Sequence, residues 1–116
     1  MGDAHGAQGD GEVNLTAIET AIEEGILQFI VRKDIEIERP MGETPTHWIT
    51  MGFDRDLMEA AKIALRDAIQ FMVKFKGLTS NDAYSLASIA VDLRVSQMVG
   101  RNKGIHAMIP KVLFKK

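Results

Sequence analysis

Asp54-Arg-Asp-Leu-Met-Glu-Ala-Ala-Lys-Ile-Ala-Leu-Arg-Asp-Ala-Ile-Gln-Phe-Met-Val-Lys-Phe-Lys-Gly77 is the stretch on which the fold reading turns. Leu57, Ala61, Ala64, Leu65, Ala68, Met72 and Phe75 recur at helical spacing, opposite Glu59, Lys62, Arg66, Gln70 and Lys74. Asp54 can cap the free N–H groups, Asp56 and Glu59 put negative charge in the first turns, and Lys74 and Lys76 put positive charge at the end. Gly77 supplies the stop. The spacing therefore predicts a helix of about twenty residues, about 30 Å long, whose apolar stripe must lie on a sheet or on a partner chain. That Met and Phe stripe reads as core and not as a cofactor box.

Toward the C-terminus, Thr79-Ser-Asn-Asp82 matches a capping box in its Asp form and opens a second helix. Ala83, Leu86, Ala87 and Ala90 give that helix a small-residue face suited to close packing on the first. Asp92–Val99 fits either helical continuation or a strand. Gly100–Gly104 is a turn, Ile105–Ile109 a strand ended by Pro110, and Val112–Phe114 a short closing element.

Toward the N-terminus, His47–Met51 reads as extended, and Pro40–Thr46 as a loop because two prolines and a glycine deny it ladder donors. Ile26–Val31 and Ile35–Glu38 read as a hairpin or two adjacent strands with one wet face. Val13–Ile22 reads as a strand; Thr16–Glu24 competes as a helix start, but Gly25 interrupts any long helix there. The expected class is α+β: a β-rich first half forming an antiparallel or mixed sheet, two helices packed on it, and a short C-terminal strand. Residues 1–116 are expected to form a single domain.

Composition narrows the function classes. A hydrophobic content of 46% and a charged content of 26% are those of a globular domain. A net charge of −2 gives no electrostatic case for nucleic acid. The chain has no cysteine, which excludes disulfides, thiolate zinc sites and Cys nucleophiles. No apolar run approaches membrane-spanning length, so neither nucleic acid nor membrane is an expected partner, and cytoplasm is the expected compartment.

The chemistry concentrates in Gly2-Asp-Ala-His-Gly-Ala-Gln-Gly-Asp-Gly-Glu12. Three carboxylates, an imidazole and a carboxamide sit there on a backbone that glycine leaves free to bend. A turn at Gly6 or Gly9 would fold the Asp3/His5 face toward the Gln8/Asp10/Glu12 face. Imidazole with carboxylates suits zinc or a similar divalent ion, and oxygens alone would suit calcium. The first-choice metal ligands are Asp3 and His5, joined by Asp10, with Glu12 as general base or third ligand. Gln8 is expected to orient a substrate through its paired donor and acceptor, and Glu19 reads as a solvated strand carboxylate that could face the site. Ser85, Ser88 and Ser96 lie in apolar surroundings and read as packing residues or as back-bonded to a carbonyl, His47 as a strand residue or loop anchor, and Lys103 as solvated.

Gly2–Glu12 closely resembles the signature of the acetamidase/formamidase family, amidases that release ammonia from small linear amides. The resemblance continues through Glu43–Thr50, Asp82–Gln97 and Asn102–Lys111, four blocks in the family's order. Gly6 is a departure, since alanine is common there in the family. A larger one is length: the chain resembles only the C-terminal portion of the family enzymes, with Met1 directly before the signature. The resemblance implies a metal-dependent hydrolase of formamide- or acetamide-type substrates, incomplete as an isolated chain, with His106 lining the site. The alternative is a non-catalytic half-protein or assembly module. The expected polypeptide partner is a second copy of the chain, in a homo-oligomer, or a separate N-terminal half.

Overall fold

The computed structural model describes residues 4–114. Their elements run β1 (Ala4–Ala7), β2 (Ile18–Thr20), β3 (Met41–Glu43), β4 (His47–Asp54), α1 (Leu57–Lys76), α2 (Ser80–Ala90), β5 (Asp92–Gln97), β6 (Lys103–Pro110) and a 3₁₀ turn at Lys111–Phe114. The class is α+β, as the patterning predicts, with four of the six strands before the first helix. Strands β1 and β2 form a small hairpin, and the main sheet has the order β3-β4-β6-β5, antiparallel throughout.

Helix α1 begins three residues after the predicted cap. Asp56 is the N-cap and accepts from the N–H groups of Met58 and Glu59, while Asp54 accepts from the Asp56 N–H at 2.8 Å. Gly77, in the left-handed region at φ 71°, closes the helix as expected. The buried stripe is Ala60, Ala64, Ala68 and Met72, whereas Leu57 and Phe75 are exposed. The helix is thus turned toward its smallest side chains. The reason lies in β4, where a Cβ added at Gly52 would meet the Ala60 carbonyl oxygen and, at 2.6 Å, the Ala64 nitrogen. Helix and strand touch backbone to backbone, which only small residues permit. Two positions earlier, the fully buried Thr50 hydroxyl donates to the Ala64 carbonyl at 2.8 Å.

Helix α2 starts as predicted, with the Thr79 hydroxyl accepting from the Asp82 N–H at 3.1 Å, and buries Ala83 and Ala87. Ile105, Ala107 and Ile109 of β6 complete the core. Asp92–Gln97 is strand and not helical continuation, since its ladder on β6 begins at Asp92. Met41–Glu43, predicted as loop, forms an edge strand on Trp48–Thr50, which Pro40 precedes without having to donate.

Residues 21–40 correct the sequence reading most. The hairpin predicted over Ile26–Glu38 is absent, and of Val13–Ile22 only Ile18–Thr20 pairs. Ile26 is 86% and Phe29 88% exposed. These β-prone residues meet no described strand that would pair with them, and an extended segment without a ladder is not a strand. The segment is tied down at its end, where Arg39 Nη1 donates to both carboxylate oxygens of Asp67 of α1 at 2.8 and 3.0 Å. The radius of gyration is 15.8 Å, against about 13 Å for a compact chain of this length.

At the other sheet end Lys76 sits 3.5 Å above the Trp48 ring, and Lys111 pairs with Glu43. The hydrogen bond and charge of Lys111 hold the Glu43 carboxyl below its usual range. Stability from this pair is present above the ordinary carboxylate pKa and is lost as pH falls through the lowered one; Glu43→Gln should flatten that part of an acid-unfolding curve.

Two glycine substitutions separate steric contact from mere position. Gly52→Ala should lower stability by about 3 kcal/mol in urea unfolding, because backbone has to move. Gly42→Ala, whose new methyl would find Ile49 Cβ at an ordinary 3.5 Å, should change it by less than about 1 kcal/mol.

Candidate active site

Alternation along β4 and β6 divides the sheet's two faces. Thr50, Gly52, Ile105, Ala107 and Ile109 turn to the helices, so Met51, Phe53, His106 and Met108 turn to the opposite face. Arg94 of β5 stands opposite His106 in the register. Beyond it the register slips between Val95 and Gln97, leaving Ser96 as the extra residue of a β-bulge. Bulges re-aim side chains, and here Ser96 Oγ comes 2.7 Å from His106 Nδ1.

The N-terminal loop is pinned against the end of β5. Met98 N–H donates to the Gly11 carbonyl at 2.7 Å and Val99 N–H to the Glu12 carbonyl at 3.2 Å. Gly11 adopts φ 99° and Glu12 φ 32°, the latter in a region where side chains other than glycine's carry a cost. This bend brings Asp10 Oδ2 to 4.0 Å from His106 Nε2, whose side chain is 15% exposed. Lys103 ties the following turn through the Met98 and Gly100 carbonyls at 2.7 and 2.9 Å, and so is not simply solvated.

A second group lies on the β1–β2 hairpin. His5 stands opposite Glu19 in the register, with Nε2 3.7 Å from Glu19 Oε1, and His5 Nδ1 is 2.9 Å from Gln8 Oε1. With Nδ1–H donating to Gln8, Nε2 presents a lone pair beside a carboxylate. That is how a metal-binding imidazole is oriented, its outer nitrogen bonded to a carbonyl. Two ligands on a tetrahedral zinc ion lie about 3.3 Å apart, so this pair fits as two donors. Among the described residues no group of three or more His, Asp or Glu converges on one point. Asp3 lies outside the described residues.

The predicted single cluster is therefore two groups: His5 with Gln8 and Glu19, and Asp10 with His106 and Ser96. His106 stands in the second, between the Asp10 and Ser96 contacts. Glu19, read as solvated, pairs with His5, and Ser96, read as a packing residue, bonds the His106 ring. Pairing β5 with β6 puts Ser96 and His106 side by side, a signal hidden by the ambiguity of Asp92–Val99. His47 bonds its neighbour Thr46 at 2.8 Å, in keeping with a loop anchor.

Two signature blocks nearly a chain length apart thus meet at Asp10 and His106. The sequence profile described as Acetamidase/Formamidase family matches residues 1–116. The chain belongs to that family. Among solved structures, an acetamidase from Yersinia enterocolitica is 30% identical with a TM-score of 0.82, covering 97% of this chain and 34% of its own. An acetamidase from Bacillus halodurans is 31% identical with a TM-score of 0.61, covering 65% of this chain and 25% of its own. This family chain spans about a third of the length of the first acetamidase and a quarter of the second. No curated protein sequence matches it. Among the described residues no helix is long and apolar enough to cross a membrane.

The hairpin gives a direct test of Gly6. A Cβ there would strike Thr20 Cγ2. Gly6→Ala should speed hydrogen exchange at the amides of β1 and β2, and adding Thr20→Ser, which removes that methyl, should restore their protection.

Proposed function

We propose that the chain supplies part of the active site of an amidase acting on small linear amides, releasing ammonia and a carboxylic acid. The observation that carries this reading is the approach of Asp10 to His106, which joins the first and last signature blocks at one place on the open sheet face. His5 and Glu19 serve as two ligands to a divalent ion, zinc by its donor set, with Asp3 as a further ligand on sequence grounds. A calcium ion would call for more oxygens than this pair offers. When bound, the ion would polarise an amide carbonyl and lower the pKa of a water molecule.

The chain's own groups divide the remaining tasks. Gln8 spends its oxygen on His5, leaving its NH₂ to donate to the substrate carbonyl. Glu12, held by Val99 at the loop's bend, takes the proton of the attacking water and returns it to the departing nitrogen. His106, backed by Asp10 and Ser96, donates to the substrate. Two ligands fall short of the three protein ligands typical of catalytic zinc. Further polypeptide completes the site: a separate N-terminal half or additional copies of this chain. The exposed apolar residues between Ile22 and Val31 support such a covered surface.

Ammonia release from formamide and acetamide is the test, with and without an N-terminal family segment. The expected result is little turnover alone and turnover with the segment, lost about 100-fold or more in Glu12→Gln. Elemental analysis should find divalent metal in the protein and much less in His5→Ala. Metal without turnover in either condition would favour an assembly module.

A further inference from the structure

We propose that Ser96 is a positioning residue, which fixes the proton of His106 on Nε2 and aims it into the site. The inference rests on the amidase reading for its catalytic meaning, but its structural content stands on three contacts. Ser96 Oγ is 2.7 Å from Nδ1, Asp10 Oδ2 is 4.0 Å from Nε2, and the ring is largely enclosed between them. A neutral imidazole carries one proton, and an ionised carboxylate only accepts. At 4.0 Å Asp10 is beyond hydrogen-bond reach of Nε2, but its charge favours an N–H over a lone pair on the side that faces it; Nδ1 is then the acceptor, and the Ser96 hydroxyl donates to it.

The backbone is shaped for this contact. Ser96 is the bulged residue of β5, and the partner strand leaves room for it with a glycine. A Cβ at Gly104 would stand 3.2 Å from Ser96 Cβ and 3.3 Å from the Phe53 ring. Without the bulge, Ser96 would continue the ordinary ladder; a side chain at 104 would crowd Ser96 Cβ and force a shift of a few tenths of an ångström. Two backbone features thus converge on one hydroxyl. A packing serine would require neither.

Long-range ¹H–¹⁵N spectra of the imidazoles in the full 116-residue chain at neutral pH test this directly. The expected result is a single His106 tautomer protonated at Nε2, with Nδ1 shifted as a hydrogen-bond acceptor. In Ser96→Ala the Nδ1 signal should move to the unbonded position, and Ser96→Thr, which keeps the hydroxyl, should restore it. A wild-type ring protonated at Nδ1, or a His106 signal unmoved in Ser96→Ala, would overturn the proposal; the first needs no variant to fold. Where amide turnover is measured, Ser96→Ala should lower kcat about tenfold with KM unchanged, and Ser96→Thr should recover it. Absence of turnover in every variant, even with the N-terminal family segment present, would refute the amidase reading while the spectra still decide the role of Ser96.

Discussion

The structure depends on one close approach, that of α1 to β4 across Gly52. With no Cβ at that position, the strand backbone lies against the Ala60 carbonyl and the Ala64 nitrogen. The helix answers with alanine at 60, 64 and 68, all fully buried. Thr50 then bonds the Ala64 carbonyl, which fixes the slide of helix on strand as well as their separation. A buried hydroxyl left unpaired costs about 1–3 kcal/mol, so alternative slides of α1 are disfavoured by a specific polar contact and not by packing alone. Since β4 carries β3 on one side and β6 on the other, the placement of the whole sheet follows from this contact.

The site is a consequence of the same contact through parity. Once Thr50 and Gly52 face the helix, the register Thr50↔Ala107 and Met51↔His106 turns Ala107 inward and His106 outward. A slip of one residue would bury the imidazole among alanines and expose Ile105, Ala107 and Ile109. The apolar alternation of β6 thereby protects the orientation of a polar residue. The bulge at Ser96 is a local exception to that regularity, and exceptions of this kind gather where a side chain has to be aimed.

The two helices, their caps at Thr79 and Gly77, and β6 were legible in the sequence because their signals are local. A capping hydroxyl acts within three residues, and an amphipathic stripe declares itself within a few turns. The exact buried stripe of α1 was not legible. Hydrophobicity favours Leu57 and Phe75, whereas the structure selects alanines for the approach to Gly52, a demand made by another element. The N-terminal loop was legible as a collection of chemical groups but not as a geometry. Which carboxylate meets which imidazole depends on the β1–β2 register for His5 and Glu19, and on the Gly11–Glu12 bend for Asp10 and His106. Neither is written in residue spacing.

The strand reading of residues 26–38 failed for a different reason. β-propensity measures how well a side chain fits a pleated, half-buried surface, and not a preference of the isolated backbone. Ile26, Phe29, Ile30 and Val31 have the side chains for such a surface, yet all four are more than half exposed. Fully burying four side chains of this kind would contribute roughly 6–12 kcal/mol before ordering costs. That is comparable to the entire folding stability of an ordinary domain. The elements whose partners lie within these residues, α1 on β4 and β5 on β6, adopt the structure their sequence implies. The segment that lacks such a partner does not, although its composition is equally suited to a sheet. Its apolar side chains alone do not make a strand, which would follow only when a second ladder is set beside them.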